Sequence, residues 1–215
     1  MRPPPAPRAP APLTAAVDTA EFARVLGAGL ARLVAAEPAL TRYDTLVGDG
    51  DCGTGLKRGA EALQAALAAG GLSPDPATAV ARLAAIVEET MDGTSGALCS
   101  IFLNALCRAL GAAAAGRADT AAWAAAAADA LDGLRRYTPA RAGDRTLMDA
   151  LEPFLAELQR RKDVVSAARC AREGAESTRG MLPRLGRTVY IEQVGDIPDP
   201  GAVGIAELVE GLAGV

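Results

Sequence analysis

Apolar residues recur along this chain every three to four positions, in stretches separated by Pro, Gly and Asp, and that spacing predicts an all-α protein. Eight helical segments follow one another. The first opens at Asp18 as N-cap, runs to about Ala36 and is expected to stop before Pro38, whose ring removes a helical N–H. The second spans Gly53 to Ala69 and ends at Gly70-Gly71. The third spans Asp75 to Thr90, with Pro76 at a first helical position. In the fourth, Thr94 to Leu110, the residues Leu98, Ile101, Phe102, Ala105 and Leu106 form one stripe. The fifth, Asp119 to Arg136, is Ala-rich and carries Trp123, read as a core residue. The sixth starts at Asp144 or Arg145 and ends at Arg161. The seventh runs from Asp163 to Met181, and the eighth from Pro200 to Leu212. Thr188 to Val194 alternates weakly, lacks a partner strand and reads as an extended loop. Residues 1–16, rich in Pro and Ala, read as a disordered or polyproline-type linker, which leaves 17–215 as one domain.

In an up-and-down antiparallel array, every second loop lies at the same end. The loops after the first, third, fifth and seventh helices hold Asp44–Thr54, Asp92–Ser95, Thr138–Thr146 and Arg187–Gly201. These are the segments with unusual chemistry, so connectivity alone puts one site at one rim of an eight-helix barrel or bundle.

Composition removes several alternatives. Half of the 215 residues are hydrophobic but only 3% are aromatic, which suits closely packed helices better than a β-sandwich. There is no histidine, so zinc-hydrolase, Ser-His-Asp and Cys-His chemistry fail together. A metal site here is built from oxygens, which points to Mg²⁺ or Ca²⁺. The net charge of −4 gives no basic footprint for nucleic acid. Cys52, Cys99, Cys107 and Cys170 form no CxxC pair and read as reduced thiols of a cytoplasmic protein. No run of about 18 apolar residues is free of charge, so no membrane span is expected.

The densest chemistry is in YDTLVGDGDCGTGLKRG, residues 43–59. Asp44, Asp49 and Asp51 repel one another unless a cation sits among them. An EF-hand counted from Asp49 puts Ala60 where Glu is required. The alternative is a turn with solvated charges. Gly53-Thr54-Gly55 then leads into a helix, whose free N–H groups make an anion site. Asp92-Gly93-Thr94-Ser95-Gly96 opens another helix, as a plain capped start or as a second phosphate cradle. In Gly143-Asp144-Arg145-Thr146, Arg145 is available to a phosphate and Asp144 to cap a helix. Arg187 is either a further phosphate partner or a surface charge, and Asp199-Pro200-Gly201-Ala202 reads as an N-cap with Pro at the first helical position. The chain has no G-x4-G-K-[ST] loop and no protein-kinase motif set.

Taken in order, VGDGDCGTGLKRG, MDGTSGALCSIFLNAL, AGDRTLMDAL and GRTVYIEQVGDIPDPGA resemble the nucleotide-binding L domain of dihydroxyacetone kinases, over about residues 18–213. The resemblance implies an eight-helix barrel with ATP or ADP at one rim. It assigns Asp44, Asp49 and Asp51 to two Mg²⁺ ions bridging the phosphates. It assigns Cys52, Gly53, Thr54 and Gly55, with Thr94 and Ser95, to the phosphates and their surroundings. Leu147 would line the adenine pocket, and Arg187 with Asp199, Pro200 and Gly201 would close over the nucleotide. Cys52 stands where bacterial phosphotransfer subunits carry His, and Asp92 where many relatives have Gly. Both variants are nearer the ATP-dependent, eukaryotic-type kinases. Thr138 replaces a Gly common among relatives. The implied activity is phosphoryl transfer from ATP to dihydroxyacetone or a similar short sugar. Its partner would be a separate K domain that holds the acceptor on a histidine and through which a homodimer would form. Two other roles stay open: a subunit that retains ADP and is fed by a phosphocarrier, and a non-catalytic nucleotide-binding module.

Overall fold

The computed structural model describes residues 18–70, 72–112, 119–185 and 194–215. Among them are eight α-helices and no strand: α1 (Thr19–Val47), α2 (Cys52–Ala68), α3 (Pro76–Thr90), α4 (Gly93–Ala112), α5 (Thr120–Leu134), α6 (Met148–Arg161), α7 (Val164–Ser177) and α8 (Pro200–Ala213). The starts follow local chemistry. Asp18, Asp75, Asp119, Asp163 and Asp199 each accept a backbone N–H of the first turn, and Pro76 and Pro200 fill first-turn positions that need no N–H.

Two boundaries differ from the sequence reading. α1 does not stop before Pro38 but continues to Val47, which puts Asp44 on its last turn rather than in a loop. A proline inside a helix costs about 3 kcal/mol, and packing outweighs it: α1 lies against both α2 and α8, and Leu40, just past the proline, is fully buried. α6 starts at Met148, not at Asp144 or Arg145, because Gly143 and Arg145 both take positive φ and cannot continue a helix.

Each helix packs on its neighbours in the chain, and α8 returns to pack on α1, so the ring closes. The core is Leu-rich between α1, α2 and α3 and alanine-rich between α7 and α8, where Ala167, Ala168, Ala171, Ala175, Ala202 and Ala206 have no exposed surface. Small residues let these helices approach closely. A Cβ on Gly211 would lie 2.5 Å from Gly29 Cα and 2.9 Å from the Ala28 oxygen. Arg32 of α1 and Arg172 of α7 both pair with Glu207 and Glu210 of α8, tying three helices on their outer face. Phe22 and Trp123 stack with ring centroids 5.3 Å apart, so Trp123 packs as the sequence reading expected. α4 is long and apolar enough by composition to cross a membrane, with a mean hydropathy of 1.4 that its single arginine does not offset. In this fold it is one member of the ring, between α3 and α5.

The α1–α8 contact has a direct test. Gly211→Ala should destabilise the protein by about 1–3 kcal/mol, because the methyl meets backbone. Gly27→Ala, where a Cβ meets nothing within 4 Å, should be neutral or stabilising by up to about 1 kcal/mol. Urea unfolding of both variants measures the contrast, and equal effects would contradict this packing.

Candidate functional site

The segments after α1, α3, α5 and α7 meet around one cleft of about 400 Å³. Its lining includes Asp44, Asp49, Asp51, Cys52, Thr54 and Gly55 from the first, Thr94 and Ser95 from the second, Thr138, Arg145 and Leu147 from the third, and Asp199, Pro200 and Gly201 from the fourth. Gly53 lies beneath this lining, at the α1–α2 contact: a Cβ there would lie 2.5 Å from the Thr41 nitrogen. Arg187 lies outside the described residues.

The three aspartates converge. One carboxylate oxygen from each of Asp44, Asp49 and Asp51 lies within 4.8 Å of the others. Their convergence is built from the backbone. The Cys52 N–H donates to Asp44 Oδ2 at 2.9 Å, which closes the turn between α1 and α2. Gly48 leaves room for the other oxygen of the same carboxylate, since a Cβ there would lie 2.3 Å from Asp44 Oδ1. Gly50 turns the chain at φ +80°. Asp51 occupies the N-cap position of α2 without making a capping bond, so its carboxylate is not spent on the helix. Asp44 is buried, while Asp49 and Asp51 are exposed. An all-oxygen set of this kind fits a hard divalent cation such as Mg²⁺.

Facing the carboxylates are two helix starts. α2 begins at Cys52, and the Thr54 hydroxyl donates to the Asp51 carbonyl oxygen at 3.0 Å. α4 begins at Gly93, which takes φ +69°. Gly96 lets this start press onto Met91, whose carbonyl oxygen would lie 2.2 Å from an added Cβ. Asp92 also lines the cleft, and its carboxylate pairs with Arg58, another lining residue, at 2.6 Å. The amides of both helix starts carry the positive end of a helix dipole. Cys52 is no nucleophile. Burial pushes its thiol up to about 12, and the nearby carboxylates of Asp44 and Asp199 push the same way.

The far wall departs from the sequence reading. Asp144 accepts the Arg141 N–H and caps no helix. Arg145 lines the cleft but is only 1% exposed, and its Nη2 donates to the Ile197 oxygen at 3.1 Å. The residue that organises this turn is Asp149, which sequence reasoning missed. Its two oxygens accept the Gly143 and Thr146 N–H groups at 2.7 and 2.8 Å. The signal was legible, because Thr146-Leu147-Met148-Asp149 has the spacing of a capping box. Thr178, fully buried, accepts the Asp199 N–H at 2.8 Å and had no such signal. Asp199 caps α8 through Ala202, 2.8 Å away. Burial pushes its carboxyl up to about 7, against the Ala202 bond and the charge of Arg145, which favour ionisation.

An eight-helix ring with an acidic, glycine-lined cleft at one rim defines the class. The chain belongs to the DAK2 domain family, whose model matches residues 46–214. It is 40% identical over 209 residues to the dihydroxyacetone kinase of Komagataella pastoris, covering 91% of this chain and 34% of that protein. It is 35% identical over 219 residues to the triokinase/FMN cyclase of Mus musculus, covering 98% and 37%. The crystal structure of the dihydroxyacetone kinase from C. freundii in complex with AMP-PNP and Mg²⁺ matches the whole chain over 37% of its own, with a TM-score of 0.76 and 28% identity. The chain therefore spans about a third of the length of the curated relatives it matches.

Two outcomes are expected. Gly48→Ala should weaken divalent-cation binding at least tenfold, since the methyl takes the place of Asp44 Oδ1; calorimetry with Mn²⁺ measures it. Asp199 gives a pH signature. A carboxyl raised to about 7 holds its proton more tightly when folded, so its burial costs nothing below the unfolded value near 3.9 and costs fully above about 7. Asp199→Asn keeps an N-cap and removes that cost. The melting temperature of the metal-free variant relative to wild type should therefore rise between pH 5 and pH 8, and a constant difference would contradict it.

Proposed function

We propose that this chain is the nucleotide-binding domain of a dihydroxyacetone kinase, holding Mg-ATP for phosphoryl transfer to dihydroxyacetone or a similar short sugar. The observation that carries the reading is the convergence of three carboxylates opposite two helix starts within one cleft. Carboxylates for a cation beside N–H groups for phosphate are the two halves of a metal-nucleotide site. The relatives named dihydroxyacetone kinase and the C. freundii complex with AMP-PNP and Mg²⁺ support it.

In this reading Asp44, Asp49 and Asp51 hold two Mg²⁺ ions. When bound, magnesium neutralises phosphate oxygens and makes the transferred phosphorus easier to attack. The α2 start, Cys52 to Gly55, and the α4 start, Thr94 and Ser95, hold the phosphates through backbone N–H groups and hydroxyls. Leu147 and the Asp199-Pro200-Gly201 turn take the nucleoside, and Arg187, outside the described residues, is assigned to the nucleotide by the family resemblance. Cys52 stays a neutral thiol and contributes shape. No side chain of this cleft is a histidine, and none is proposed as a general base. Most of the rate would come from charge neutralisation and alignment.

Alignment also sets what the chain cannot do by itself. A short sugar has too few atoms for reversible contacts to hold it in line. The acceptor is assigned to a separate K domain that tethers it. A coupled ADP-release assay tests the division. The chain alone should release ADP slowly and without response to dihydroxyacetone, and adding the K domain of a related kinase should make release depend on the sugar. Sugar-dependent turnover by the chain alone, or none with any K domain, would contradict the reading. Asp49→Asn or Asp51→Asn should weaken Mg-ATP binding at least 100-fold. The metal-free form should melt at the same or a higher temperature, because one repelling charge is gone. Wild-type affinity in either variant would remove the aspartates from the site.

A further inference from the structure

Arg145 is the largest side chain with almost no exposed surface, and the cleft does not use it as a solvent-facing cation. Its backbone takes φ +60°, a left-handed conformation that L side chains rarely adopt. From this turn the buried side chain runs to the cleft and forms part of its lining. There Nη2 holds the Ile197 oxygen at 3.1 Å, while Nε and Nη1 are buried without a hydrogen-bond partner. The negative charges of Asp199 and Asp149 act on the guanidinium through space. Each belongs to a different wall. Asp149 is fixed by the amides of the 143–146 turn, and Asp199 caps α8 at the start of the Pro200-Gly201 turn.

The two walls also meet at Leu147 and Gly201. A Cβ on Gly201 would lie 3.4 Å from Leu147 Cβ and 3.6 Å from the Leu147 nitrogen. The distance between Leu147 and the Pro200-Gly201 turn is therefore set by whatever holds the two turns together, and Arg145 is the charged group between them. A guanidinium suits the place, because it carries a donor across to the Ile197 oxygen and keeps its charge when buried. A lysine offers the charge at a single point.

We propose that Arg145 is a positioning residue for the nucleoside end of the cleft: by bridging the 143–147 and 197–201 turns, it fixes the spacing of Leu147 against Pro200-Gly201. It touches neither the cation nor the transferring phosphate. This rests on the reading of the cleft as a Mg-nucleotide site. The consequence is a selective loss. Removing Arg145 loosens the walls that grip base and ribose and leaves the aspartates and the two helix starts in place.

The test compares Mg-ATP with Mg-tripolyphosphate, which has the phosphates but no nucleoside, by calorimetry on wild type, Arg145→Met, Arg145→Lys and Arg145→Gly. Arg145→Met should weaken Mg-ATP about tenfold or more and Mg-tripolyphosphate less than about threefold, with Arg145→Lys between wild type and Met for Mg-ATP. Arg145→Gly relieves the positive φ, so it keeps the comparison open if the Met variant does not fold. Added methylguanidinium should restore its Mg-ATP affinity, and sodium chloride at equal concentration should not. Equal weakening of both ligands, unchanged affinity for both, or no rescue by methylguanidinium overturns the proposal. Wild-type protein that binds neither ligand overturns the Mg-nucleotide reading itself, and this inference with it.

Discussion

The hydrogen bond from the Cys52 amide to the Asp44 carboxylate is the constraint around which the cleft is built. It spans the turn between α1 and α2, so it fixes where α2 starts and which way its first N–H groups point. It also holds a largely buried carboxylate, which would otherwise be costly to desolvate. The surrounding glycines follow from it. Gly48 must leave space for Asp44 Oδ1, and Gly53 must let α2 come down onto α1, where a Cβ would lie 2.5 Å from the Thr41 nitrogen. With these contacts made, Asp49 and Asp51 have little freedom to move away from Asp44. Three carboxylates held this close make a set of oxygens that a hard divalent cation fits.

The closed ring explains why four distant segments share one site. Each helix packs on the next in the chain, so alternate helix ends come to the same side of the ring. The ring itself depends on small residues: alanines between α7 and α8, and Gly29 against Gly211 where α8 closes on α1. Stability and site are thus separate in sequence. Packing positions lie along the helices, and ligand chemistry lies at one set of helix ends.

Much of this was legible in the residues. Helical periodicity, aspartate caps and the Asp/Gly segment gave the element order and the acidic rim. The failures have local physical causes. Pro38 was read as a stop because propensity ignores packing on two sides, and that error moved Asp44 from a loop to the last turn of α1. The start of α6 was misplaced because left-handed backbone at Arg145, a non-glycine, has no signature in composition. The burial of the same residue had no signal either, because it depends on the turn at Ile197, more than 50 positions away. Asp149 has visible capping-box spacing, but its second bond, to the Gly143 N–H six residues back, lies outside that motif.

The central claim is that Asp44, Asp49 and Asp51 form a cation site that faces the phosphates of a bound nucleotide. Crystals of the chain grown with Mn²⁺ and AMP-PNP, measured at the manganese edge, test it most directly. The account predicts anomalous density among the three carboxylates, with the triphosphate between them and the first turns of α2 and α4. Density away from these aspartates, or a nucleotide bound with its phosphates at another face of the ring, would contradict it.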